Sequence, residues 1–440
     1  MGRGKGDLFT TLNFLIMGIG CMARGQIAKG LLLLFTQLSY IYFMLTFGIG
    51  YLADFGTLGT VEQSRRWNNE LEINEIIRGD NSLLILLFSV LTIVISIVFI
   101  YIYIINIYLG FKAFKLKNEG KQIPNFRDDL RILWNDKYHV VLLTLPAIGI
   151  IAFTILPQIF MVAMAFTNFD RDHLPPGNLF TWVGFENFKE ILWSHPRKSH
   201  TFFEVFKWTL TWAVLSTATC YLGGITLAML INRKGVRLKS MWRAFFAVTI
   251  AVPQFVSLLL MRQLLNESGT LNYLLQYWGL IEQPIMFLGA DLARFMVIVV
   301  NFWVGVPYTL LIATAVLTNI PAEIYESAKI DGAGPFLIFR KLTMPYMLFV
   351  TTPYLITQFT GNVNNFNVIY LLTGGGPNTL AFFQAGKTEI LITWLYRQTL
   401  DEQNYNLAST IGIVIFSVLA IISLFLFNTY ASKKTEEDFL

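Results

Sequence analysis

The stretch ESAKIDGAGPFLIFRKLTMP, from Glu326 to Pro345, is polar and interrupted by glycines, yet it lies between two apolar runs of membrane-spanning length. A short turn would be enough to join two such runs. A polar segment of this length therefore indicates a structure of its own. We call residues 319–345 the interspan loop, and its role depends on the number of spans around it and on the side of the membrane where it lies.

The composition is that of a membrane protein. Of 440 residues, 55% are hydrophobic and only 14% are charged, whereas a soluble domain carries about 25% charged residues. The charged residues are missing from many separate apolar runs rather than from one segment. The sequence therefore predicts an all-α polytopic membrane protein.

Eight apolar runs are long enough to cross the hydrocarbon core, which takes about 20 residues. A shorter run at 9–25 is interrupted by glycines and is typical of an interfacial or re-entrant helix. A secretory signal is the competing interpretation, but a long span follows closely and no small-residue cleavage site stands out. The eight predicted transmembrane helices cover residues 28–52, 81–110, 139–168, 206–232, 241–264, 291–318, 346–372 and 407–430.

The distribution of lysine and arginine predicts the orientation. The connections at 53–80, 169–205, 265–290 and 373–406 are neutral to acidic, and all strongly basic segments alternate with them. Because basic loops stay in the cytoplasm, we expect a multi-pass protein of the cell membrane with both termini and the interspan loop cytoplasmic. The basic residues are Arg3, Lys5, Arg24 and Lys29 near the N-terminus, seven lysines and arginines in loop 111–138, and Arg233, Lys234, Arg237, Lys239 and Arg243.

Features of a catalytic or metal-binding protein do not stand out in the sequence. Cys21 and Cys220 have neither the spacing of a disulfide framework nor that of a CxxC site, and the four histidines are scattered. The net charge of +5 follows from the basic cytoplasmic loops and does not require a nucleic-acid partner. We therefore expect no metal, no bound cofactor, no nucleic-acid partner and no enzymatic activity.

The interspan loop has the signals of two short helices around a glycine turn. Pro321 suits the first turn of a helix, and Glu323 follows where the helix dipole favours an acid. Gly332 and Gly334 then break the helix, and Pro335 can open a second one. On these signals alone, a simple linker at the membrane surface explains the loop as well as a docking element does.

The spacing within the loop resembles a known motif. Counted from Glu326, a glycine occupies the seventh position, an aliphatic residue the seventeenth and a proline the twentieth. This resembles the "EAA" loop of permease subunits in ATP-binding-cassette (ABC) importers. The string IPAEIYESAKIDGAGPFLIFRKLTMP, together with WVGFENF (182–188) and LLTGGGP (371–377), resembles the carbohydrate branch, near the larger membrane subunit of maltose importers. The resemblance covers residues 139–430 and is weak over 1–138.

The resemblance implies a type I ABC importer permease fold. Residues 139–430 would form a core of six spans, 1–138 an extension with two spans and a basic loop, and 431–440 a cytoplasmic tail. The implied partners are a second homologous permease subunit, a dimer of ATPase subunits that binds the ATP, an extracellular solute-binding protein and membrane lipid. The interspan loop would couple the spans to the ATPase through Glu326, Ser327, Ala328, Asp331, Gly332, Gly334 and Pro345.

Two spans carry polar residues near their midpoints at the spacing i, i+3, i+4 and i+7, which places each set on one helix face. Amides are costly in lipid, so these faces should point into protein or a cavity, and amides suit the hydroxyl groups of neutral sugars. Helix–helix contact is the competing interpretation. Trp303 or Tyr308 could stack on a sugar ring. The resemblance implies sugar-contacting positions on these two faces, although Gln358, Gly361 and Val304 depart from the side chains usual in the family. The predicted substrate residues are Asn301, Val304, Gly305, Tyr308, Gln358, Gly361, Asn362 and Asn365.

The resemblance, the chain length and the two extra spans favour import of maltose or maltodextrin. Galacto-oligosaccharides or raffinose-type sugars are the alternative substrates. An ion-coupled secondary transporter is a less favoured class, because the central portions of spans three to eight lack Asp, Glu, Lys and Arg. The acids Glu389, Asp401 and Glu402 are expected on a solvated outer face.

Overall fold

The computed structural model describes residues 7–68, 72–233 and 235–433. Arg3, Lys5, Lys234 and residues 434–440, which entered the predictions of orientation and domains, lie outside the described residues. The described chain is mostly helical, which confirms the predicted fold class, and it contains one antiparallel pair of strands that the sequence did not predict. In chain order the elements are α1 Leu8–Leu12, α2 Ile19–Met22, α3 Ile27–Phe43, a π-helical turn Met44–Gly48, α4 Ile49–Asp54, β1 Ser64–Asn68, β2 Ile73–Ile77, α5 Ser82–Asn118, α6 Phe126–Trp134, α7 Tyr138–Ile150, a π-helical turn Ile151–Ile155, α8 Leu156–Met164, α9 Glu186–Lys189, a π-helical turn Glu190–Ser194, α10 Pro196–Asn232, α11 Lys239–Ala251, α12 Gln254–Leu264, α13 Thr270–Tyr277, α14 Ala293–Thr318, α15 Ala322–Ile330, α16 Pro335–Ile338, a π-helical turn Phe339–Thr343, α17 Met344–Val363, α18 Phe366–Thr373, α19 Leu391–Leu400 and α20 Tyr405–Lys433.

The candidate membrane spans match most of the apolar runs. Within the described residues, six helices are long and apolar enough to cross a membrane, and a seventh span results if α11 and α12, bent by 88° at their break, are counted as one. These spans are Ile27–Asp54, Ser82–Asn118, Tyr138–Met164, Pro196–Asn232, Ala293–Thr318, Tyr405–Asn428 and the bent pair Lys239–Ala251 with Gln254–Leu264.

The remaining predicted span, 346–372, is two helices. α17 has 20 residues, and α18 follows after a break at Asn364 and Asn365. α17 contains four threonines after Pro345, besides Gln358 and Asn362, so its most apolar stretch is more polar than the most apolar stretches of the six long spans. A helix with such side chains requires protein or a cavity beside it.

The chain divides into two compact units, residues up to Gly184 and residues from Phe185 onward. The helices α7 and α8 belong to the first unit, in which α8 packs against α5. The loop after α8 also returns to this unit, because the Trp182 indole donates a hydrogen bond to the Phe55 carbonyl at 2.8 Å. The predicted division at 138/139, into an N-terminal extension and a permease core, stays a prediction.

The short segment at 9–25 folds back against α3 and α5 through hydrogen bonds to side chains. Asn13 and Asn106 each donate an amide hydrogen bond to the other's backbone carbonyl, at 3.0 and 3.1 Å, and Asn106 Oδ1 accepts the Gly18 N–H at 2.8 Å. Gln37 likewise bonds the backbone of Met17 and Leu15. Non-helical backbone at membrane depth has to be satisfied within the protein in this way. These bonds attach the segment to α3 and α5, and its interfacial or re-entrant placement stays a prediction.

The second unit is built around α10, whose 37 residues span about 55 Å at 1.5 Å per residue. α10 packs closely along α14. A Cβ atom on Gly224 would lie 2.5 Å from Thr309, and one on Gly305 would lie 2.7 Å from Cys220 Sγ. Small residues therefore set the distance between the two helices. Buried apolar clusters surround α10 towards each end, with Trp394 near the start and Met347 near the end.

Candidate functional site

The predicted polar face of α14 has two different roles. Asn301 is buried, and its Nδ2 lies 3.5 Å from Cys220 Sγ on α10. Gly305 packs against the same cysteine. Asn301 and Gly305 therefore belong to the α10–α14 contact, which is the helix–helix interpretation weighed for this face.

Tyr308 and Val304 lie on the other side of the contact, in the wall of a cavity. Together with Trp303 they line a space of about 1450 Å³ between α10, α11, α12 and α14. Tyr308 is 53% exposed. Its ring centroid lies 6.1 Å from that of Tyr354 on α17, and the Tyr354 hydroxyl is 3.0 Å from Thr309 Oγ1. The two predicted aromatic positions thus face open space, and Tyr308 is held by a neighbouring helix.

The cavity owes part of its wall to the break between α11 and α12. Val252 and Pro253 at the break, and Gln254 and Ser257 just after it, line the space. Proline lacks the N–H that would continue the helix, so the break and its polar neighbours follow from the local sequence. The helical spacing of polar residues did not predict this part of the wall. The sequence signal that could have indicated the break is Pro253, a proline inside the predicted span 241–264.

Among the residues that the structure describes, none with a charged side chain lines this cavity. Its polar groups are hydroxyls, one amide and the Trp303 and Tyr308 side chains, among mostly aliphatic and phenylalanine neighbours. Cavities of this kind bind neutral ligands that have apolar faces and a few hydroxyl groups. The lining is therefore chemically suited to a sugar ring, which stacks on aromatic side chains and bonds to amides.

The predicted face of α17 is divided as well. Asn362 is only 1% exposed. Its Nδ2 donates to Thr217 Oγ1 at 3.0 Å, and its backbone carbonyl accepts the Trp212 indole N–H at 3.0 Å. Asn365 caps α18 by accepting the Val368 N–H and lies 3.4 Å from Asn362 Oδ1. Both asparagines of this predicted face are thus engaged within the chain.

Gly361 and Gln358, one and two helical turns before Asn365, are available. Gln358 makes no side-chain hydrogen bond within the part of the chain that the structure describes, and a Cβ on Gly361 would meet nothing within 4 Å. Of the eight predicted substrate residues, only Val304 and Tyr308 line the large cavity. Helical spacing identified the polar faces but not which member of each face is turned towards a neighbouring helix.

The interspan loop has the predicted form. α15 ends before Gly332, which has a φ of +81°, and α16 begins at Pro335. α16 then continues through the π-helical turn Phe339–Thr343 directly into α17. The Tyr325 hydroxyl lies 3.2 Å from Thr343 Oγ1. Because α16 and α17 are continuous, a displacement of the loop would be transmitted to α17 as to one body.

The predicted coupling residues are at the surface. Ile330 and Phe336 are large apolar side chains that the described chain leaves exposed, so the loop presents apolar surface without an intramolecular partner. Ala328 is half-buried, and the other coupling residues are exposed: Glu326, Ser327, Asp331, Gly332, Gly334 and Pro345.

A second glycine-containing loop follows α18, and we call residues 373–390 the glycine loop. Glu389 at its end is 2% exposed, and its Oε1 lies 2.8 Å from Nε of Arg397 on α19. Its Oε2 accepts the Gly386 N–H at 3.2 Å. Burial raises the pKa of Glu389 to about 8, although the Arg397 charge and the Gly386 hydrogen bond act in the opposite direction. The expectation of a solvated Glu389 was wrong, because α19 returns over the loop and covers it.

Comparison with known proteins gives a family and a fold. Residues 221–437 match the family model described as "Binding-protein-dependent transport system inner membrane component". The galactooligosaccharides transport system permease protein GanP of Bacillus subtilis (strain 168) is 34% identical over 429 residues, covering 96% of this chain and 97% of that protein. The maltodextrin transport system permease protein MdxF of the same organism is 33% identical over 432 residues, covering 96% and 95%.

A solved structure agrees with the fold. A chain of a bacterial ABC transporter involved in the import of the acidic polysaccharide alginate matches with a TM-score of 0.56 and 24% sequence identity. The match covers 69% of this chain and 99% of the other. At this identity the likeness concerns the architecture alone.

Proposed function

We propose a substrate, a binding surface and a set of partners for this chain, which belongs to the binding-protein-dependent transport system inner membrane components and is a permease subunit of a sugar ABC importer. The substrate that we propose is a neutral oligosaccharide of the maltodextrin type. The chain would form half of the translocation pathway and would hydrolyse nothing itself. ATP would be bound by partner ATPase subunits.

The main support for the proposed substrate class is the large cavity beside α14. The described residues of its lining carry no charge and include Trp303 and Tyr308 beside hydroxyl and amide groups. Aromatic faces and uncharged hydrogen-bonding groups together favour neutral sugars over ions or acids. We assign Tyr308, Trp303 and Val304 to the sugar, with Gln254 as an additional ligand. Gln358 and Gly361 are assigned to a second wall, which the other permease subunit would complete.

We assign the interspan loop to the ATPase partner. Its exposed apolar residues Ile330 and Phe336 need a cover, and its second helix runs without interruption into α17. α17 carries Tyr354, which contacts Tyr308 in the cavity wall. This path would link ATP-driven closure of the ATPase dimer to the sugar site. The positive-inside pattern supports a cytoplasmic position for the loop and for both termini.

Galacto-oligosaccharides are the second candidate substrate. The observation in their favour is the similarity to GanP, which is as high as the similarity to MdxF. The cavity chemistry suits both sugar classes, so transport measurements have to decide between them.

The test uses the assembled importer in proteoliposomes with its solute-binding protein, and it measures uptake and ATPase stimulation by maltodextrins and galacto-oligosaccharides. We expect maltodextrins to give the larger stimulation. We expect Tyr308→Ala to raise the sugar concentration for half-maximal uptake about tenfold, since an aromatic contact contributes on the order of 1–1.5 kcal/mol. The control is Tyr277→Ala, because Tyr277 is exposed but does not line the cavity.

Asn362→Ala distinguishes the two interpretations of the α17 face. Losing a buried hydrogen-bonded amide should lower the free energy of unfolding by about 1–3 kcal/mol while leaving the sugar dependence of uptake unchanged. Weaker sugar binding at unchanged stability would restore Asn362 to the binding site. Failure of every sugar in both panels to stimulate the wild-type importer would overturn the proposed substrate class.

A further inference from the structure

A line of positions on α17 runs outward from the cavity wall. Tyr354 contacts Tyr308 at the cavity, with 6.1 Å between the two ring centroids. Gln358 and Gly361 follow Tyr354 at i+4 and i+7, which places all three on one face of the helix. Because the interspan loop precedes α17 and is expected in the cytoplasm, this line leads towards the extracellular end of the helix. It reaches the break before α18, where Asn364 is exposed.

The exposed face of α18 continues this line. Ile369 and Leu372 are buried among residues of α12 and α14, whereas Asn367 and Tyr370 lie one helical turn apart and are exposed. Within the part of the chain that the structure describes, neither Asn364 nor Asn367 makes a side-chain hydrogen bond. Amides without partners are costly in hydrocarbon, so this face requires a polar neighbour rather than lipid tails.

Tyr370 is held in place by two other aromatic side chains. The Phe366 ring stacks on it, with 4.7 Å between the centroids and 21° between the ring planes. Tyr396 of α19 meets it at 68°, with centroids 5.1 Å apart. Tyr370 nevertheless remains 38% exposed, so a fixed ring presents free surface one turn from Asn367. Preorganisation of this kind reduces the entropy lost on binding.

The charges around this face do not favour an anionic ligand. Arg397, the neighbour of Tyr396 on α19, is turned away to the buried Glu389 carboxylate, which lies 2.8 Å from its Nε. Asp401, just after α19, is close enough to act on the Tyr396 hydroxyl. An acid beside a face of uncharged side chains repels phosphates and carboxylates. A neutral ligand therefore fits the face better than a lipid headgroup does.

We propose that Asn364, Asn367 and Tyr370 form an outer subsite for the glycosyl units of longer oligosaccharides. Amides donate to and accept from sugar hydroxyl groups, and an aromatic ring packs against the apolar face of a sugar. Continuity with Gln358 and Gly361, which are assigned above to a wall of the sugar pathway, favours a sugar over a protein as the occupant. This inference rests on the proposed function.

The length of the sugar decides whether it reaches the outer subsite. Asn367 follows Gln358 by nine positions, or more than two helical turns. We therefore expect a disaccharide held at Gln358 and Tyr308 to leave the outer subsite empty. A longer chain that extends outward from the same position contacts it.

The first experiment measures uptake by the assembled importer in proteoliposomes, with maltose or maltoheptaose delivered by the solute-binding protein. We expect Tyr370→Ala to raise the half-maximal concentration of maltoheptaose about tenfold, the effect of one lost aromatic contact, and to leave that of maltose unchanged. Tyr370→Phe keeps the ring and should behave as wild type with both sugars. Asn367→Ala removes an exposed amide without a hydrogen bond, and it should raise the value for maltoheptaose alone, by about threefold.

The matched control is Tyr277→Ala, at an exposed tyrosine of α13, which should leave both values unchanged. Equal shifts for the two sugars in Tyr370→Ala, or no shift, would overturn the outer subsite while leaving the proposed function in place. If Tyr370→Ala does not assemble, Asn367→Ala decides by the same criterion. If the wild type imports galacto-oligosaccharides instead, galactobiose and a long galacto-oligosaccharide replace the two sugars. A wild-type importer that takes up neither series would refute the proposed function.

A second experiment identifies what covers this face. Asn367→Cys can be labelled with a polar maleimide, because Cys21 and Cys220 are buried. In the importer held with a non-hydrolysable ATP analogue, we expect maltoheptaose-loaded binding protein to slow the labelling and maltose-loaded binding protein to leave it faster. Absence of labelling in the isolated subunit in nanodiscs would indicate lipid, and labelling lost on adding the second permease would indicate that subunit. Either result would overturn the proposal, as would equal protection by the two sugars.

Discussion

The interspan loop and the glycine loop are both polar and glycine-containing, but they keep their shapes by different means. The interspan loop, which lies wholly within the described residues, is held by one hydrogen bond between side chains, that between the hydroxyl groups of Tyr325 and Thr343, and it exposes Ile330 and Phe336. The glycine loop encloses a buried Glu389–Arg397 pair. A loop shaped mainly by its backbone needs a partner to cover its apolar surface, whereas a braced loop can meet a partner without being reshaped.

The largest expected effect is on the braced loop. Arg397→Ala, measured at pH 9, should lower the free energy of unfolding by about 3–5 kcal/mol, because the folded chain then has to bury the Glu389 carboxylate without a partner or take up a proton there. Lys329→Ala in the interspan loop removes an exposed cation. It should change the free energy of unfolding by no more than about 0.5 kcal/mol. Unfolding in mixed micelles measures both variants. If the two variants lost similar free energies of unfolding, the two loops would not differ in the way described above.

Gly332→Asp should have the next largest effect, and on transport rather than folding. The φ of +81° at Gly332 disfavours any residue with a Cβ by roughly 1–2 kcal/mol, so the turn between α15 and α16 should rearrange. We expect at least a tenfold loss of sugar uptake with ATPase subunits still assembled. Gly50→Ala, at a helical position in α4 with open space around it, is the control. Normal uptake by Gly332→Asp would contradict the coupling role of the loop.

The pH dependence of stability tests whether Glu389 in the glycine loop has a raised pKa. The pKa of Glu389 is raised by burial from 4.5 to about 8, so between these values the folded chain holds a proton that the unfolded chain has lost. Stability should therefore fall as the pH rises from about 5 to 8, by at most about 1.4 kcal/mol per pH unit. Glu389→Gln should lack this contribution. If wild type instead gains stability relative to Glu389→Gln over that range, the Arg397 charge outweighs burial.

The smallest expected effect is that of Tyr325→Phe. This variant removes the hydroxyl that lies 3.2 Å from Thr343 Oγ1, and a neutral, half-buried hydrogen bond contributes about 0.5–1.5 kcal/mol. We expect a slight decrease in thermal stability and an uptake rate within about twofold of wild type. Tyr346→Phe is the matched control because Tyr346 adjoins the loop. A loss of uptake as large as that of Gly332→Asp would mean that one side-chain bond, rather than the backbone, holds the loop.

Local signals in the sequence were sufficient for the interspan loop. Proline at the start of α16, glycine at the turn and the alternation of helix signals all concern neighbouring residues, and the structure has the corresponding elements. The same holds for most spans, which depend on the apolar length of a single segment. α17 was harder to define, because its polar side chains and the break at Asn364 interrupt the apolar run.

The sites depended on contacts between distant segments. Helical spacing placed Asn301 and Tyr308 on one face, but only the packing of α10 separates the buried amide from the tyrosine in the cavity wall. The acidic residues at and after the end of the glycine loop gave no sign that one of them is buried.

Membrane helices and a structured polar loop before α17 could be predicted from the sequence. Apolar length, charge asymmetry and glycine–proline spacing, on which these predictions rest, are local properties. The hydrogen bonds of Asn362 with Thr217 and Trp212 could be found in the three-dimensional structure alone. The same is true of the contact between the buried Glu389 carboxylate and Arg397. The physical reason is that burial and pairing of a polar group depend on which helix lies beside it, and residues far apart in the chain determine that neighbour.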